Sequence, residues 1–223
     1  MGTEDEKRLA AARAVALVET GMTVGLGTGS TAAHAIQILG QRVREGLAIR
    51  GVPTSEASTA LARTEGIPLV ALNKVECVHL AIDGADEVDR ERRCIKGGGG
   101  ALLREKIVAS AADRMVVIVD SGKTVERLGT FPLPVETVPF ACEQVRRQIL
   151  ALGASVALRA DTQGPFVTDE GNRILDCRFG AISDAPALAA RLDAIVGIVG
   201  HGLFIDMVDD VIVGSGNTAS FME

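Results

Sequence analysis

Short apolar runs alternate with amphipathic stretches along most of the chain. The run at 115–119 contains no polar residue, which is typical of a strand buried on both faces of a parallel sheet. Between such runs the apolar residues recur at helical spacing. The predicted elements are helices at 4–19, 31–45, 55–64 and 101–112 and strands at 23–26, 48–52, 68–72, 78–82 and 115–119. This alternation predicts an α/β fold with a Rossmann-like parallel sheet covered by helices.

The segment 131–204 has a different order of elements, which resembles a split βαβ, or ferredoxin-like, unit with an added hairpin. Its predicted elements are strands at 134–140, 155–159 and 198–204, helices at 142–152 and 184–195, and hairpin strands around 169–172. A further apolar run at 210–214 is expected to return to the main sheet. The sequence therefore predicts a Rossmann-like catalytic domain of residues 1–130 plus 205–223, and a smaller ferredoxin-like α+β domain of residues 131–204.

Composition excludes several kinds of partner. The chain of 223 residues has a formal net charge of −6 and no Trp or Tyr, which argues against binding nucleic acid. No apolar run approaches the roughly 20 residues of a membrane span, and the first residues lack the features of a secretory signal, so we expect no membrane partner and a cytoplasmic location. The four cysteines are far apart and form no C-x-x-C pair, which predicts reduced thiols.

The stretch GLGTGSTAAH, residues 25–34, joins a predicted strand to a predicted helix. Its backbone N–H groups should converge at the helix N-terminus, where the helix dipole favours an anion, and Thr28, Ser30 and Thr31 add hydroxyl donors. Residues 27–32 also satisfy G-x-G-x-x-A, but the second strand ends without the acid that binds a ribose, so a lone phosphate fits better than a dinucleotide. A turn that serves only tight packing is the alternative.

Three more polar segments follow predicted strands or open a helix. Asp83 and Asp86 follow the strand at 78–82, and Lys123 follows the strand at 115–119. The carboxyl ends of parallel strands are where α/β proteins bind ligands, although solvated carboxylates and a surface lysine are the alternatives.

The run Lys96-Gly97-Gly98-Gly99-Gly100 precedes a helix that carries Glu105. Consecutive glycines cost entropy to order and are expected where backbone approaches a ligand closely. Glu105 alone could also be a solvated helix residue. If the loops converge, hydroxyls, carboxylates and lysines form one pocket for a small anionic polyol.

The three histidines are dispersed without metal-ligand spacing, which argues against a metal site, and with a dinucleotide also disfavoured we expect no cofactor. The motifs GTGSTAAH, DGADE, KGGGGALLREK, DSGK, LGTFPLPVE and VTDEGN resemble, in this order, those of ribose-5-phosphate isomerases of the A type. The departures are Gly100, where an alanine is common, and Leu103, where a threonine is often seen.

The resemblance implies an aldose-ketose isomerase of the non-oxidative pentose phosphate pathway, which interconverts D-ribose 5-phosphate and D-ribulose 5-phosphate through a cis-enediolate. It implies Glu105 as the proton acceptor, with Asp83 and Lys96 assisting catalysis. The implied substrate contacts are Thr28, Gly29, Ser30, Thr31, Asp83, Gly84, Ala85, Asp86, Lys96, Gly97, Gly98, Gly99 and Lys123. It also implies a homodimer or homotetramer. A sugar-phosphate sensor and a CoA-transferase-like enzyme with a glutamate nucleophile are the alternatives.

Overall fold

The computed structural model describes residues 3–223. The helices are α1 (Thr3–Val15), α2 (Ser30–Arg44), α3 (Glu56–Thr64), α4 (Leu102–Ser110), α5 (Cys142–Ala151) and α6 (Ala185–Asp193). The strands are β1 (Thr23–Leu26), β2 (Arg50–Pro53), β3 (Leu80–Asp83), β4 (Glu87–Val88), β5 (Cys94–Ile95), β6 (Met115–Asp120), β7 (Leu133–Thr137), β8 (Ser155–Leu158), β9 (Ala160–Asp161), β10 (Gly164–Pro165), β11 (Arg173–Arg178), β12 (Ile198–His201), β13 (Leu203–Phe204), β14 (Asp210–Ser215) and β15 (Thr218–Phe221).

Contacts divide the chain into two compact units. Of the described residues, the first unit contains 3–85, 104–124 and 207–223, and the second contains 86–103 and 125–206. The second unit thus includes residues 86–103, which the sequence assigned to the larger domain. The reason is that β4 and β5, which lie in this stretch, pair with each other, and β13 pairs with β5 in a three-stranded sheet.

The first unit is built on a six-stranded sheet with the order β15-β14-β6-β3-β1-β2. All neighbouring pairs are parallel except β14 with β15, and the central strands β1, β3 and β6 are buried along their whole length. Helix α1 packs through alanines, because small side chains let its backbone approach the sheet. A Cβ atom on Gly214 of β14 would overlap the carbonyl group of Glu6. The predicted parallel α/β sheet is confirmed.

The strand predicted at 68–72 is wrong. Leu69 makes only an isolated bridge to Gly51, and a single helical turn follows at Leu72–Lys74. The next bond along this ladder would need an N–H group from Pro53 at the end of β2, and proline has none, so the pairing stops there.

The second unit contains a four-stranded antiparallel sheet with the order β12-β7-β11-β8. Along the chain its elements run β7, α5, β8, β11, α6, β12, which is the β-α-β-β-α-β order of a ferredoxin-like fold. Val135, Val145, Leu175 and Leu192 belong to one apolar cluster in this unit. The ferredoxin-like prediction is therefore confirmed.

The hairpin predicted around 169–172 lies earlier in the chain, where β9 and β10 pair on either side of a turn. The side chain of Asp161 accepts a hydrogen bond from the N–H group of Gln163, and Gly164 adopts a φ of 132°, so the local sequence favours the turn at this point. Residues 169–172 form the turn that precedes β11. Within residues 3–223, no helix combines the length and the apolar character needed to cross a membrane.

Candidate active site

The loop after β1 is anchored to the end of β3 by Asp83. One carboxylate oxygen of Asp83, Oδ1, accepts hydrogen bonds from the N–H groups of Thr28 (3.0 Å) and Gly84 (2.7 Å). Position 27 must be glycine, because a Cβ atom there would overlap the side chain and backbone of Asp83. Asp83 is 2% exposed. It therefore has a structural task in addition to any contact with substrate.

The hydroxyl group of Thr28 lies in a cluster of hydroxyl groups. Its Oγ1 is 2.8 Å from Oγ1 of Thr54, 2.8 Å from Oγ of Ser55 and 3.0 Å from Oγ of Ser58. Ser58 in turn donates to the carbonyl of Gly27 at 2.6 Å. This cluster holds the loop after β1 against the start of α3, so the hydroxyl of Thr28 is engaged inside the first unit. A contact of Thr28 with substrate stays a prediction.

Helix α2 begins immediately after this loop with an open N-terminus. Gly29 is the N-cap residue with a φ of 105°, and no side chain caps the helix. Ser30 and Thr31 occupy the first turn, and Gly29 and Ser30 are exposed. The unsatisfied N–H groups and the helix dipole make this end suited to an anion such as a phosphate group.

Lys7 of α1, which no sequence motif indicated, reaches the same helix end. Its Nζ atom lies 3.0 Å from Oγ of Ser30 and 2.7 Å from Oε1 of Glu4. Only 15% of the Lys7 side chain is exposed. A single lysine in a charged helical stretch carries no local signal, because its contact with Ser30 depends on how α1 packs on the sheet.

Lys123 lies in a helical turn, Ser121–Lys123, directly after β6, and is half-buried. Asp120 accepts a hydrogen bond from the N–H group of Gly122, and Ser121 donates from both its N–H and its hydroxyl group to Glu6 of α1. Hydrogen bonds from Gly216 and Ser121 lower the pKa of Glu6. Because β3 lies between β1 and β6 in the sheet, Gly29, Asp83 and Lys123 all lie at the carboxyl ends of three consecutive parallel strands of the first unit.

Glu105 belongs to the first turn of α4 and is 4% exposed. The helix lies close to β1: a Cβ atom on Gly25 would be only 2.7 Å from Cγ1 of Val108. The neighbouring Arg104 forms an ion pair with Glu56 at 2.9 Å, and these two side chains are 29% and 69% exposed. Glu105 is therefore a buried carboxylate and not a solvated helix residue.

The second unit holds the remaining candidate residues. Oδ2 of Asp86 accepts a hydrogen bond of 2.7 Å from the N–H group of Gly98. Lys96 is 2% exposed, and its Nζ atom lies 5.3 Å from the centre of the Phe204 ring. Its backbone N–H donates to the carbonyl of Gly202 at 2.9 Å. Burying a lysine and ordering a run of glycines both cost free energy. This cost indicates that the segment has a functional role and is not only a linker.

The structure thus places the predicted residues in two sets. The first unit contains Thr28, Gly29, Ser30, Thr31, Asp83, Gly84, Ala85, Glu105 and Lys123, and the second contains Asp86, Lys96, Gly97, Gly98 and Gly99. The prediction that both sets share one pocket stays a prediction. Within residues 3–223, no three or more His, Cys, Asp or Glu side chains are grouped so that they could hold a metal ion.

An open helix N-terminus beside a lysine, at the carboxyl edge of a parallel sheet, is typical of α/β proteins that bind small phosphorylated molecules. Comparison with known proteins identifies the family within this class. Residues 50–218 match the family model of ribose 5-phosphate isomerase A (phosphoriboisomerase A). The chain belongs to the ribose-5-phosphate isomerase A family, whose members are aldose-ketose isomerases.

Relatives match along nearly the whole chain. The chain is 51% identical to ribose-5-phosphate isomerase A of Sphingopyxis alaskensis over 212 residues, which is 95% of this chain and 93% of the relative. It is 48% identical to that of Parvibaculum lavamentivorans over 230 residues, with both chains covered completely.

Solved structures agree with these matches. A D-ribose-5-phosphate isomerase in complex with phospho-erythronic acid superimposes with a TM-score of 0.97 at 38% identity, and both chains are covered completely. Ribose 5-phosphate isomerase A of Methanocaldococcus jannaschii superimposes with a TM-score of 0.95 at 43% identity, again over both whole chains. Family membership decides against the sensor and the CoA-transferase-like alternatives.

Proposed function

We propose that this chain interconverts D-ribose 5-phosphate and D-ribulose 5-phosphate through a cis-enediolate, with Glu105 as the base that moves the proton. The observation that carries the proposal is the burial of Glu105 in the first turn of a helix that directly follows the glycine run. A carboxylate shielded from water and fixed by a helix is suited to proton transfer.

The phosphate group is proposed to bind at the N-terminus of α2. Three kinds of donor support this: the open N–H groups of the first turn, the hydroxyls of Ser30 and Thr31, and the ammonium group of Lys7, which already contacts Ser30. Lys123 follows β6, which β3 separates from β1 in the same sheet, and is proposed to add a second positive charge. These local donors allow a chain with a net charge of −6 to hold an anion.

The proposed reaction moves one proton between two carbons. After the sugar ring opens, Glu105 removes the proton from C2, and the electron pair forms the C1–C2 double bond while negative charge develops on O1. The protonated Glu105 then returns the proton to C1, and the O2 proton passes to O1, so that C2 becomes the carbonyl carbon. Lys96 and glycine N–H groups are proposed to stabilise the charged oxygen, and Asp83 and Asp86 to orient hydroxyl groups and assist ring opening.

Replacement of Glu105 by glutamine tests this assignment. Glutamine is similar in size but cannot accept the proton, so we expect kcat to fall by a factor of about 100 or more while ligand binding is kept. The assay follows ribulose 5-phosphate formation with a chelator present, and deuterium exchange into substrate in heavy water reports proton transfer directly. The matched control is Glu76→Gln, at an exposed position. Turnover of Glu105→Gln close to that of the unchanged chain would refute the assignment.

We also propose that the chain acts as a homodimer or homotetramer in the cytoplasm, as the sequence resemblance implies. Light scattering of the purified protein measures the assembly state. A monomer at the concentrations used in the activity assay would contradict this part of the proposal.

A further inference from the structure

The glycine run of the second unit is held from outside by one arginine. Nη1 of Arg159 donates to the carbonyl of Gly97 at 2.8 Å and to the carbonyl of Gly98 at 3.2 Å. Arg159 follows β8 directly, and its own N–H group donates to the carbonyl of Ile174 on β11, which continues the pairing of these two strands. The guanidinium group is therefore attached to the sheet rather than to a mobile loop.

Asp176 fixes the orientation of the arginine. Nε of Arg159 lies 3.0 Å from one carboxylate oxygen of Asp176, and Nη2 lies 2.5 Å from the other, so the pair is bidentate. The two side chains are 15% and 23% exposed. The ring of Phe166 lies 6.0 Å from the centre of the guanidinium group. A bidentate pair with an aromatic neighbour leaves the guanidinium little freedom to rotate.

This arrangement determines which way the glycine N–H groups point. In a planar trans peptide the C=O and N–H groups point in opposite directions, and the described chain contains no cis peptide bond. The peptide between Gly97 and Gly98 is thus clamped on both sides, with Arg159 on its carbonyl and Asp86 on its N–H. Fixing the carbonyl of Gly98 likewise directs the N–H of Gly99 away from Arg159.

The N–H group of Gly99 is available for a ligand. Gly99 is exposed, and no acceptor for its N–H group is found among residues 3–223. Arg159 also places a positive charge behind the peptide carbonyls, which polarises the peptides and strengthens their N–H groups as donors. A glycine run on its own would sample many conformations, so an external clamp is the physical means of keeping such donors oriented.

We propose that Arg159, fixed by Asp176, is a positioning residue of the isomerase that orients the peptides of Gly97 and Gly98 so that the N–H of Gly99 faces the developing oxyanion. The inference rests on the proposed function, in which the glycine run contacts substrate. Arg159 acts through the backbone and touches no reacting atom.

The test compares Arg159→Met, Arg159→Lys and Asp176→Asn. Loss of the clamp weakens an interaction made in the transition state, so we expect kcat of Arg159→Met to fall about 10- to 100-fold while KM for ribose 5-phosphate changes less than about threefold. Arg159→Lys keeps the positive charge but cannot make a bidentate contact. Asp176→Asn keeps Arg159 but weakens the ion pair that fixes its orientation. Both variants should therefore show smaller losses of kcat than Arg159→Met. Arg178→Met, on the same strand as Asp176 and exposed, is the matched control and should keep full activity.

Inhibition separates a positioning role from a general structural one. Phospho-erythronic acid carries a carboxylate that resembles the charged enediolate, whereas inorganic phosphate tests only the phosphate site. We expect Arg159→Met to weaken inhibition by phospho-erythronic acid about tenfold and to leave inhibition by inorganic phosphate unchanged. Equal weakening of both inhibitors, or a kcat within twofold of the unchanged chain, would overturn the inference.

The two proposals fail in different ways. An active Glu105→Gln variant would refute the proposed function whatever Arg159 does. An inactive Glu105→Gln together with a fully active Arg159→Met would refute the positioning role alone. Should Arg159→Met not fold, Arg159→Lys and Asp176→Asn still decide the question through the same split of kcat from KM.

Discussion

The loop after β1 should depend on Asp83 for its shape, and this can be separated from any role of Asp83 in catalysis. Oδ1 of Asp83 is the shared acceptor for the N–H groups of Thr28 and Gly84, and the side chain is buried against Gly27. Asp83→Ala removes the acceptor for both groups. Asp83→Asn retains an oxygen that can occupy the same place and changes only the charge and the second atom.

The expected magnitudes follow from the two hydrogen bonds. Leaving a buried donor unsatisfied costs about 1–3 kcal/mol, so Asp83→Ala should lower the free energy of unfolding by about 2–5 kcal/mol once some water enters the gap. In Asp83→Asn two charge-assisted hydrogen bonds become neutral ones, which should cost about 1–2 kcal/mol in total. If Asp83 assists catalysis as proposed, Asp83→Asn will also lose turnover although it stays folded.

Urea unfolding gives the stabilities, and the isomerase assay gives kcat and KM for the folded variants. Asp113→Ala, at an exposed position of the same unit, is the control and should change the free energy of unfolding by less than about 0.5 kcal/mol. Equal destabilisation by alanine and asparagine, or a loss below about 1 kcal/mol in Asp83→Ala, would show that these two hydrogen bonds do not hold the loop.

Two further outcomes are expected. Lys7→Ala should raise KM for ribose 5-phosphate and weaken inhibition by inorganic phosphate about tenfold, with little change in kcat. The reason is that Lys7 reaches Ser30 at the α2 N-terminus. Unchanged inhibition by phosphate would show that Lys7 is not part of the phosphate site. Burial raises the pKa of Glu136 above its usual 4.5, so its contribution to the free energy of unfolding should decline as the pH rises from about 4.5 through the higher folded-state pKa. Urea unfolding between about pH 4 and 7 should show a smaller decline in Glu136→Gln, and parallel profiles for the two proteins would contradict this.

Much of the fold could be predicted because it depends on local patterns. The run at 115–119 has no polar residue and forms the fully buried strand β6, since only a strand covered on both faces accommodates such a run. The order of strands and helices in 131–204 likewise indicated the ferredoxin-like unit. The pattern failed at 68–72, because the apolar run does not show what its partner strand can donate, and Pro53 of β2 lacks the N–H group that would continue the pairing.

The kinds of functional group in the candidate site could also be predicted, because glycine runs, paired carboxylates and a helix start are each local features. The surroundings of these groups in the folded chain could not be predicted. Only tertiary structure shows that Glu105 is buried, that the hydroxyl of Thr28 faces inward and that Lys7 contacts Ser30.

The contact of Arg159 with the glycine run shows this difference between sequence and tertiary structure most clearly. Arg159 and Gly97 are 62 residues apart, and nothing near either position indicates the contact. The sequence by itself determined the elements and the kinds of functional group, because these depend on propensity and periodicity over a few residues. Tertiary structure decided which groups meet, because hydrogen bonds between distant segments form only after the strands that carry them have packed.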